Sequence, residues 1–454
     1  MTLNEYVASI KDKRIAVVGV GVSNLPLLRL LASAGCDVTA CDKSSATELG
    51  PVYEELSGLG VKFILGSHYI DKLDYDLVFR TPGLHPDRLR GALGPNTVLT
   101  SEMETFFALC PCRIIAITGS DGKTTTSTLI AKLLQAEGYT VHLGGNIGKP
   151  LLCELPKFRS EDVAVLELSS FQLHSMRCRP DVAVITNLSP NHLDVHPDFD
   201  DYARAKKHIF LRQDENCRLV LNLDNEFTAA CAAEARAQVL WFSRETEPQH
   251  GYSYHDGAIY RDGERFIEET EILIPGLHNI ENYMAAFAAT DGLVSRENCR
   301  AVARTFGGVE HRIELIRTLR GVKYYNDSIA SSPTRTIAGL RSFQQKVLLI
   351  AGGHDKLVPF DLLAEEIVQR VKALYLVGET AEKIRAAVLA APGYDSAALP
   401  VLVFDDFKET ILAAAAAAEE GDIVILSPAC SSFDLFKNFA QRGNTFRKIV
   451  EELK

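Results

Sequence analysis

Arg113-Ile-Ile-Ala-Ile-Thr-Gly119-Ser-Asp-Gly-Lys-Thr124 decides the fold. A basic residue opens it, a continuous β-branched apolar run follows, and a glycine turn leads into a helix-like stretch. An uninterrupted apolar run of this length predicts a parallel strand covered by helices on both faces. Two other stretches repeat the design: Lys13-Arg14-Ile-Ala-Val-Val-Gly19 and Lys346-Val-Leu-Leu-Ile-Ala-Gly352-Gly353. Each opens its own α/β unit. Three units agree with 454 residues at roughly 150 per domain. Further strands are expected over Cys36 to Cys41, Asp76 to Phe79, Val163 to Leu166, Val182 to Thr186, Leu219 to Asn222, Ala373 to Val377 and Asp422 to Leu426. Between Val239 and Ile274, short alternating segments with His255-Asp256-Gly257 and Arg261-Asp262-Gly263 turns predict a small antiparallel insert. Linkers near Thr100 and Gly307-Gly308 divide the chain into 1–100, 101–308 and 309–454.

Composition narrows the function classes. Lys plus Arg number 48 and Asp plus Glu 59, a formal charge of −11. That balance disfavours nucleic-acid backbone binding. No apolar run approaches the roughly 18 residues of a membrane span. The basic cluster Lys11, Lys13, Arg14 lies inside the chain, the wrong order for a signal peptide. The ten cysteines are scattered, and Cys110-Pro-Cys112 is the sole close pair. The expectation is reduced thiols in a cytoplasmic enzyme.

Thr118 to Thr124 sits between strand and helix, where glycines turn backbone amides toward a phosphate and the helix N-terminus adds positive potential. Lys123 supplies a mobile charge for the terminal phosphates, and the Thr124 hydroxyl suits Mg²⁺. The loop is shorter than the common Walker pattern, which would want glycine at Ile117. A phosphate loop needs a metal carboxylate on a neighbouring strand. Glu167 ends the run Val-Ala-Val-Leu, and His192 follows the next strand in Asn187-Leu-Ser-Pro-Asn-His192-Leu-Asp194.

These residues and those after them resemble the Mur ligase family of ATP-dependent amino-acid-adding enzymes. Its central motifs match Thr118 to Thr124, Glu167-Leu-Ser-Ser-Phe-Gln172 and Asn191-His-Leu-Asp194. Its later ones match Gly276-Leu-His-Asn279-Ile-Glu-Asn282, Glu310-His-Arg312 and Tyr325-Asn-Asp327-Ser328. Ser427-Pro-Ala-Cys-Ser-Ser-Phe-Asp434 and Phe436-Lys-Asn-Phe-Ala-Gln-Arg-Gly443 are similar to the branch that adds D-glutamate. The resemblance implies an N-terminal Rossmann-like domain for a UDP substrate, a central P-loop-like ATP domain with a mostly parallel sheet, and a C-terminal Rossmann-like domain for the amino acid. It implies that ATP, with one or two Mg²⁺, activates the carboxylate of UDP-N-acetylmuramoyl-L-alanine as an acyl phosphate that D-glutamate attacks. The enzyme would act in cytoplasmic peptidoglycan precursor synthesis as a monomer.

Residue roles follow from the resemblance alone. Lys123, His192 and a carbamylated Lys206 would be catalytic. Gly119, Ser120, Asp121, Gly122, Lys123, Thr124, Thr125, Asn279, Asn282, Arg312 and Asp327 would meet ATP. Ser23, Asn24, Asp42, Gly83, Asn146, Ser169 and His192 would meet the UDP substrate. Ser331, Lys356, Ser432 and Phe439 would meet D-glutamate, and Thr124, Glu167, His192 and Lys206 the metal. From the residues alone Lys206 reads as an ordinary surface lysine, and Lys207 as solvated.

Two departures matter. Gly19-Val-Gly21-Val-Ser23-Asn24 carries Asn24 where a dinucleotide fingerprint has its third glycine, which disfavours NAD. Some family members carry a lysine after Asn-Asp-Ser, where this chain has Ile329. Alternatives are a folylpolyglutamate synthase-like ligase, which would not need the first domain, and a non-catalytic nucleotide-binding module, which leaves Glu167, His192 and Lys206 without a role.

Overall fold

The computed structural model describes residues 1–189, 198–356 and 358–454. They form an α/β chain with three sheets. The first has order β3-β2-β1-β4-β5, with β1 (Arg14–Val18), β2 (Asp37–Asp42), β3 (Lys62–Leu65), β4 (Leu77–Phe79) and β5 (Val98–Thr100), all parallel. The second contains β6 (Arg113–Thr118), β7 (Val141–Gly145), β8 (Val163–Glu167), β9 (Val182–Ile185), β10 (Arg218–Asn222), β11 (Gln238–Ser243), β12 (Gly251–His255), β13 (Ala258–Arg261) and β14 (Glu264–Glu268). Its order is β14-β13-β12-β11-β10-β9-β6-β8-β7. The third contains β15 (Glu314–Leu319), β16 (Val322–Asn326), β17 (Val347–Ala351), β18 (Val371–Val377), β19 (Val401–Phe404) and β20 (Ile423–Leu426), in order β15-β16-β20-β17-β18-β19.

The three apolar runs are inner strands of these sheets, as their composition demands. In β1 and β6 every residue after the leading arginine is buried, and β17 is buried throughout. Each run lies between two parallel neighbours, so neither face nor edge meets water.

The segment expected as a small antiparallel insert does contain antiparallel strands, and these extend the second sheet. β11 and β12 continue the parallel order beside β10, and β12, β13 and β14 then run antiparallel. The turns fall where the Asp-Gly pairs predict. Asp256 and Gly257 have φ of 48° and 67°, and Asp262 and Gly263 of 48° and 78°. Two successive positive φ values make a type I′ hairpin turn, which suits the strand twist. Arg320 and Gly321 (φ 51° and 78°) repeat it between β15 and β16, a hairpin the apolar periodicity does not announce.

Two compact units result: Met1–Glu269 with Ile280–Val302, and Thr270–Asn279 with Ala303–Lys454. The first holds the first two sheets and the second holds the third. Within the first unit, Arg80 at the end of β4 is fully buried. Its Nε donates to Ser175 Oγ (2.8 Å), and Nη2 donates to the carbonyls of Phe171 (2.8 Å) and Gln172 (3.1 Å). Nη1 holds the carbonyls of Thr81, Pro82 and Leu84. One guanidinium thus ties the turn after β4 to the segment after β8. Burial lowers its pKa to about 10, so it stays charged near neutrality. Among the described residues no helix is long and apolar enough to cross a membrane.

Candidate active site

The phosphate loop begins where β6 ends. β6 lies between β8 and β9, with Ile117 opposite Glu167 and Thr118 opposite Ile185. The carboxyl ends of three adjacent parallel strands therefore converge, the usual place for a ligand in an open α/β sheet. Gly119 has φ of +150°, and a Cβ there would lie 1.9 Å from Thr186 Oγ1. Gly122 has φ of +78°, and its Cβ would lie 2.3 Å from Asn282 Oδ1. Both glycines are required by backbone conformation and close approach. Thr186 Oγ1 donates to Asp121 O (2.6 Å), and Asp121 N donates to Asn187 Oδ1 (3.0 Å), so β9's end holds the loop. Ser120 Oγ lies 3.0 Å from Tyr202 Oη. The helix Lys123–Ala136 then opens directly from the loop, with Gly122 as its N-cap.

The side chains expected to act on phosphate and metal gather here. Thr124 Oγ1 donates to Glu167 Oε2 (2.7 Å), and Asn146 Nδ2 donates to Glu167 Oε1 (2.8 Å). Lys123 Nζ donates to the carbonyls of Gly119 (2.9 Å) and Ser120 (2.7 Å). Thr125 is buried in the first turn of the same helix. Asn282 accepts from Thr126 Oγ1 (3.2 Å).

Lys206 is buried, as the carbamylation implied by the resemblance requires and as its local sequence alone does not show. It is 1% exposed, on the helix Phe199–Lys207. Its Nζ donates to Gly119 O (2.7 Å) and Thr118 Oγ1 (3.2 Å) and stands 4.7 Å from the Tyr202 ring centroid. Burial pushes its pKa well below the usual lysine range, and the nearby Lys123 charge adds to this, while Glu167 and Asp121 oppose it. A neutral amine is the form that attacks CO₂. Lys207 is half-buried and pairs with Glu234. His192, with Asn191 and Asp194, lies outside the described residues.

Thr124 and Glu167 bring a hydroxyl and a buried carboxylate together, a donor pair that suits a hard dication such as Mg²⁺, while Asn146 turns its amide nitrogen to the other carboxylate oxygen. Ser169 caps the short helix Ser170–Leu173, accepting from Gln172 N.

In the first sheet, Asn24 is buried and braces the turn. Its Nδ2 donates to the carbonyls of Val18 (3.0 Å) and Gly19 (3.2 Å). Asp42 accepts from Val20 N (2.7 Å) and Ser44 N (2.8 Å), holding the same turn from the next strand. Ser23 and Asn24 line a cavity of about 20 Å³ together with Arg80, Gly145 and Gln172. Asn24 Oδ1 faces no hydrogen-bond partner among the described residues. Gly83 lies on the turn that Arg80 holds.

The second unit is built likewise at strand ends. Asp327, just after β16, is buried and accepts from Ser427 Oγ (2.7 Å) and Ile313 N (3.3 Å). Burial raises its pKa to about 7. Arg312, half-buried, precedes Ile313. Asn279, also in this unit, donates from Nδ2 to Pro275 O (2.6 Å). Lys356 Nζ donates to Ser331 O (3.1 Å), so two residues expected at one substrate meet. Ser432 is buried, and Phe439, 40% exposed, stands edge-on to His311 with centroids 5.9 Å apart.

Arg442, which lies in the Phe436-to-Gly443 motif without a role assigned to it there, organises this loop cluster. It is buried and donates to Ser328 Oγ (3.1 Å) and to the carbonyls of Ser328 (3.0 Å), Cys430 (3.1 Å) and Ser431 (3.2 Å). The buried Ser431 hydroxyl beside it has no partner among the described residues. A serine-rich turn reads in sequence as a helix cap, which hides it.

The chain matches the Mur ligase middle domain over residues 117–290 and the Mur ligase glutamate ligase domain over 311–430. It belongs to the Mur ligase family. Among its relatives is the UDP-N-acetylmuramoylalanine–D-glutamate ligase of Acetivibrio thermocellus, 49% identical over 99% of both chains. The enzyme of the same description from Ruminiclostridium cellulolyticum is 50% identical over 100% of this chain and 99% of its own. That from Clostridium perfringens is 48% identical over 99% of each. The fold of this Mur ligase is similar to the crystal structure of UDP-N-acetylmuramate–alanine ligase from Thermotoga maritima, with TM-score 0.59, 17% identity, and 97% and 100% of the two chains covered.

Proposed function

We infer that this Mur ligase joins D-glutamate to the terminal carboxylate of UDP-N-acetylmuramoyl-L-alanine, with ATP converted to ADP and phosphate, in peptidoglycan precursor synthesis. The observation that carries this reading is the convergence of Lys123, Thr124, Asn146, Glu167 and Lys206 at the ends of adjacent strands.

The substrate carboxylate attacks the γ-phosphorus and ADP leaves. Both reacting groups are anions, so charge neutralisation and alignment matter more than a strong base. The loop amides and the helix N-terminus hold the phosphates. Lys123 leaves its carbonyl partners for the terminal phosphates. Mg²⁺ held by Thr124, Glu167, His192 and carbamylated Lys206 would supply further positive charge there. Carbamylation forms a bond between the neutral Lys206 nitrogen and CO₂ and releases a proton, which turns a donor into an anionic oxygen ligand. The D-glutamate amine then attacks the acyl phosphate carbonyl, loses a proton, and phosphate departs as the amide forms.

By the family resemblance, Asn279, Asn282, Arg312 and Asp327 would serve ATP. Ser23, Asn24, Asp42, Gly83, Asn146 and Ser169 serve the UDP substrate, with Asn24 and Asp42 acting through the turn they brace. Lys356, Ser331, Ser432 and Phe439 receive D-glutamate. Ile329 removes a charge that some relatives carry, and Arg335 stands beside it, its Nη1 3.3 Å from Ile329 O. Arg335 with Lys356 therefore offers two cations to the two carboxylates of D-glutamate. Domains at 1–100, 101–308 and 309–454, a monomer and a cytoplasmic location fit the same reading.

The test is phosphate release from ATP and Mg²⁺ with UDP-N-acetylmuramoyl-L-alanine and single amino acids. Release with D-glutamate is expected. Release with another acceptor pair, and none with D-glutamate, rejects the assignment.

A further inference from the structure

Outside the groups assigned to the reaction, the first unit brings two imidazoles and a carboxylate together. His85 follows the Thr81-Pro-Gly83 turn after β4. His174 directly follows the short helix Ser170–Leu173, and Asp201 lies in the first turn of the helix that carries Lys206. Three segments distant in sequence meet at one point. Their side chains are 11%, 14% and 10% exposed, respectively. His174 Nε2 lies 3.1 Å from each Asp201 oxygen, and His85 Nε2 lies 3.5 Å from Oδ2. One ligand atom from each of the three falls within 4.8 Å of the others.

The spacing suits a metal. Two ligands at about 2.0–2.1 Å from a tetrahedral ion stand about 3.3 Å apart, and the two imidazole–carboxylate separations bracket that value. The surrounding groups hold the ligands in place. Arg204 Nη2 donates to Asp201 Oδ1 (3.1 Å), and Asp201 N donates to Asp198 Oδ1 (2.7 Å). Oδ2 then faces both imidazoles. His85 Nδ1 accepts from Asp87 N (3.2 Å) and lies 3.8 Å from Asp87 Oδ2.

We propose that His85, His174 and Asp201 form a second metal site, separate from the phosphate-side dication, that takes a borderline transition-metal ion of the Zn²⁺ or Co²⁺ type. Two imidazoles and one carboxylate oxygen select such ions over Mg²⁺, which prefers oxygen and keeps its water. The bound ion would tie the turn after β4 to the Lys206 helix, adding a cross-link where Arg80 already provides one.

The experiment uses the full chain, stripped with chelator and held in excess Mg²⁺, titrated with Co²⁺ and followed by visible absorption. One equivalent should develop the ligand-field bands of a four- or five-coordinate nitrogen–oxygen site, and Zn²⁺ should bleach them. His174→Gln or His85→Gln should weaken Co²⁺ binding by at least about tenfold with the metal-free melting curve unchanged. X-ray absorption on the Zn²⁺ form of the unsubstituted chain needs no variant, and a shell with two imidazoles is expected. No saturable Co²⁺ binding, an all-oxygen shell, or unaltered affinity in the folded His174→Gln chain overturns the proposal.

Discussion

Lys206 shows how far a single residue's role escapes its local sequence. Next to Lys207 in a charged helix, nothing separates the two lysines by composition, and the family resemblance alone picks one. Burial against Gly119 and Tyr202 makes the distinction physical: Lys206 has lost the solvent that would keep it charged, and Lys207 has an acidic partner at the surface. Lys206→Ala should lower kcat by about 10²–10³-fold, the scale of removing one preorganised charge-stabilising group. Short carboxylic acids should restore part of the rate, because they return an oxygen anion to the vacated volume. Full activity in the alanine variant would remove Lys206 from the mechanism. At the amino-acid site, Arg335→Ala should raise KM for D-glutamate about tenfold, the worth of one charge-assisted hydrogen bond, with kcat much less affected. Steady-state kinetics with D-glutamate varied separates the two parameters.

Among the elements, the phosphate loop was the most legible, since its glycines, lysine and threonine are contiguous and the strand and helix flank it in order. The structure adds why Gly119 cannot change. Its positive φ and the 1.9 Å approach of Thr186 Oγ1 leave no place for a Cβ. Gly119→Ala should therefore abolish ATP binding while the chain still folds, read by nucleotide titration calorimetry beside a melting curve. Retained ATP affinity would mean that the loop rearranges freely. The Asp-Gly turns were equally readable, because two positive φ values tolerate few residue types. What the same segment hid was its partner: alternation identifies strands but not the edge they extend, and β11 joins β10 through contacts that local pattern does not encode. The roles of Arg80 and Arg442 were invisible for a related reason. A buried arginine looks like a surface one until the carbonyls it serves have been folded around it.

Across the molecule, each unit holds a buried carboxyl with a raised pKa. Glu102 in the first unit is pushed up to about 7 by burial, although Leu152 N donates to it (2.8 Å). Asp327 in the second is pushed to about 7 likewise. The ordinary values are 4.5 and 3.8. The folded chain thus keeps protons that the unfolded chain releases, and stability from these groups is present below the ordinary values and lost as pH rises toward about 7. Trp241, the single tryptophan, lies in the first unit and reports its unfolding. Urea unfolding followed by Trp241 fluorescence should show a midpoint that falls between pH 5 and pH 8, and Glu102→Gln should flatten that fall. An equal slope in the glutamine variant would show that Glu102 ionises freely in the fold.

Sequence by itself determined the three buried strands, the glycine turns after them, the strand–loop–helix passage through Thr118 to Thr124 and the family, because each is written in contiguous residues whose periodicity or backbone demands are local. Only the tertiary structure decided that Lys206 is buried against Gly119, that Asn24 and Asp42 brace a turn, that Arg80 and Arg442 clamp loops, and that two histidines meet an aspartate. Those facts depend on which strands lie side by side, and the burial and charge of a side chain are set by neighbours brought from far along the chain.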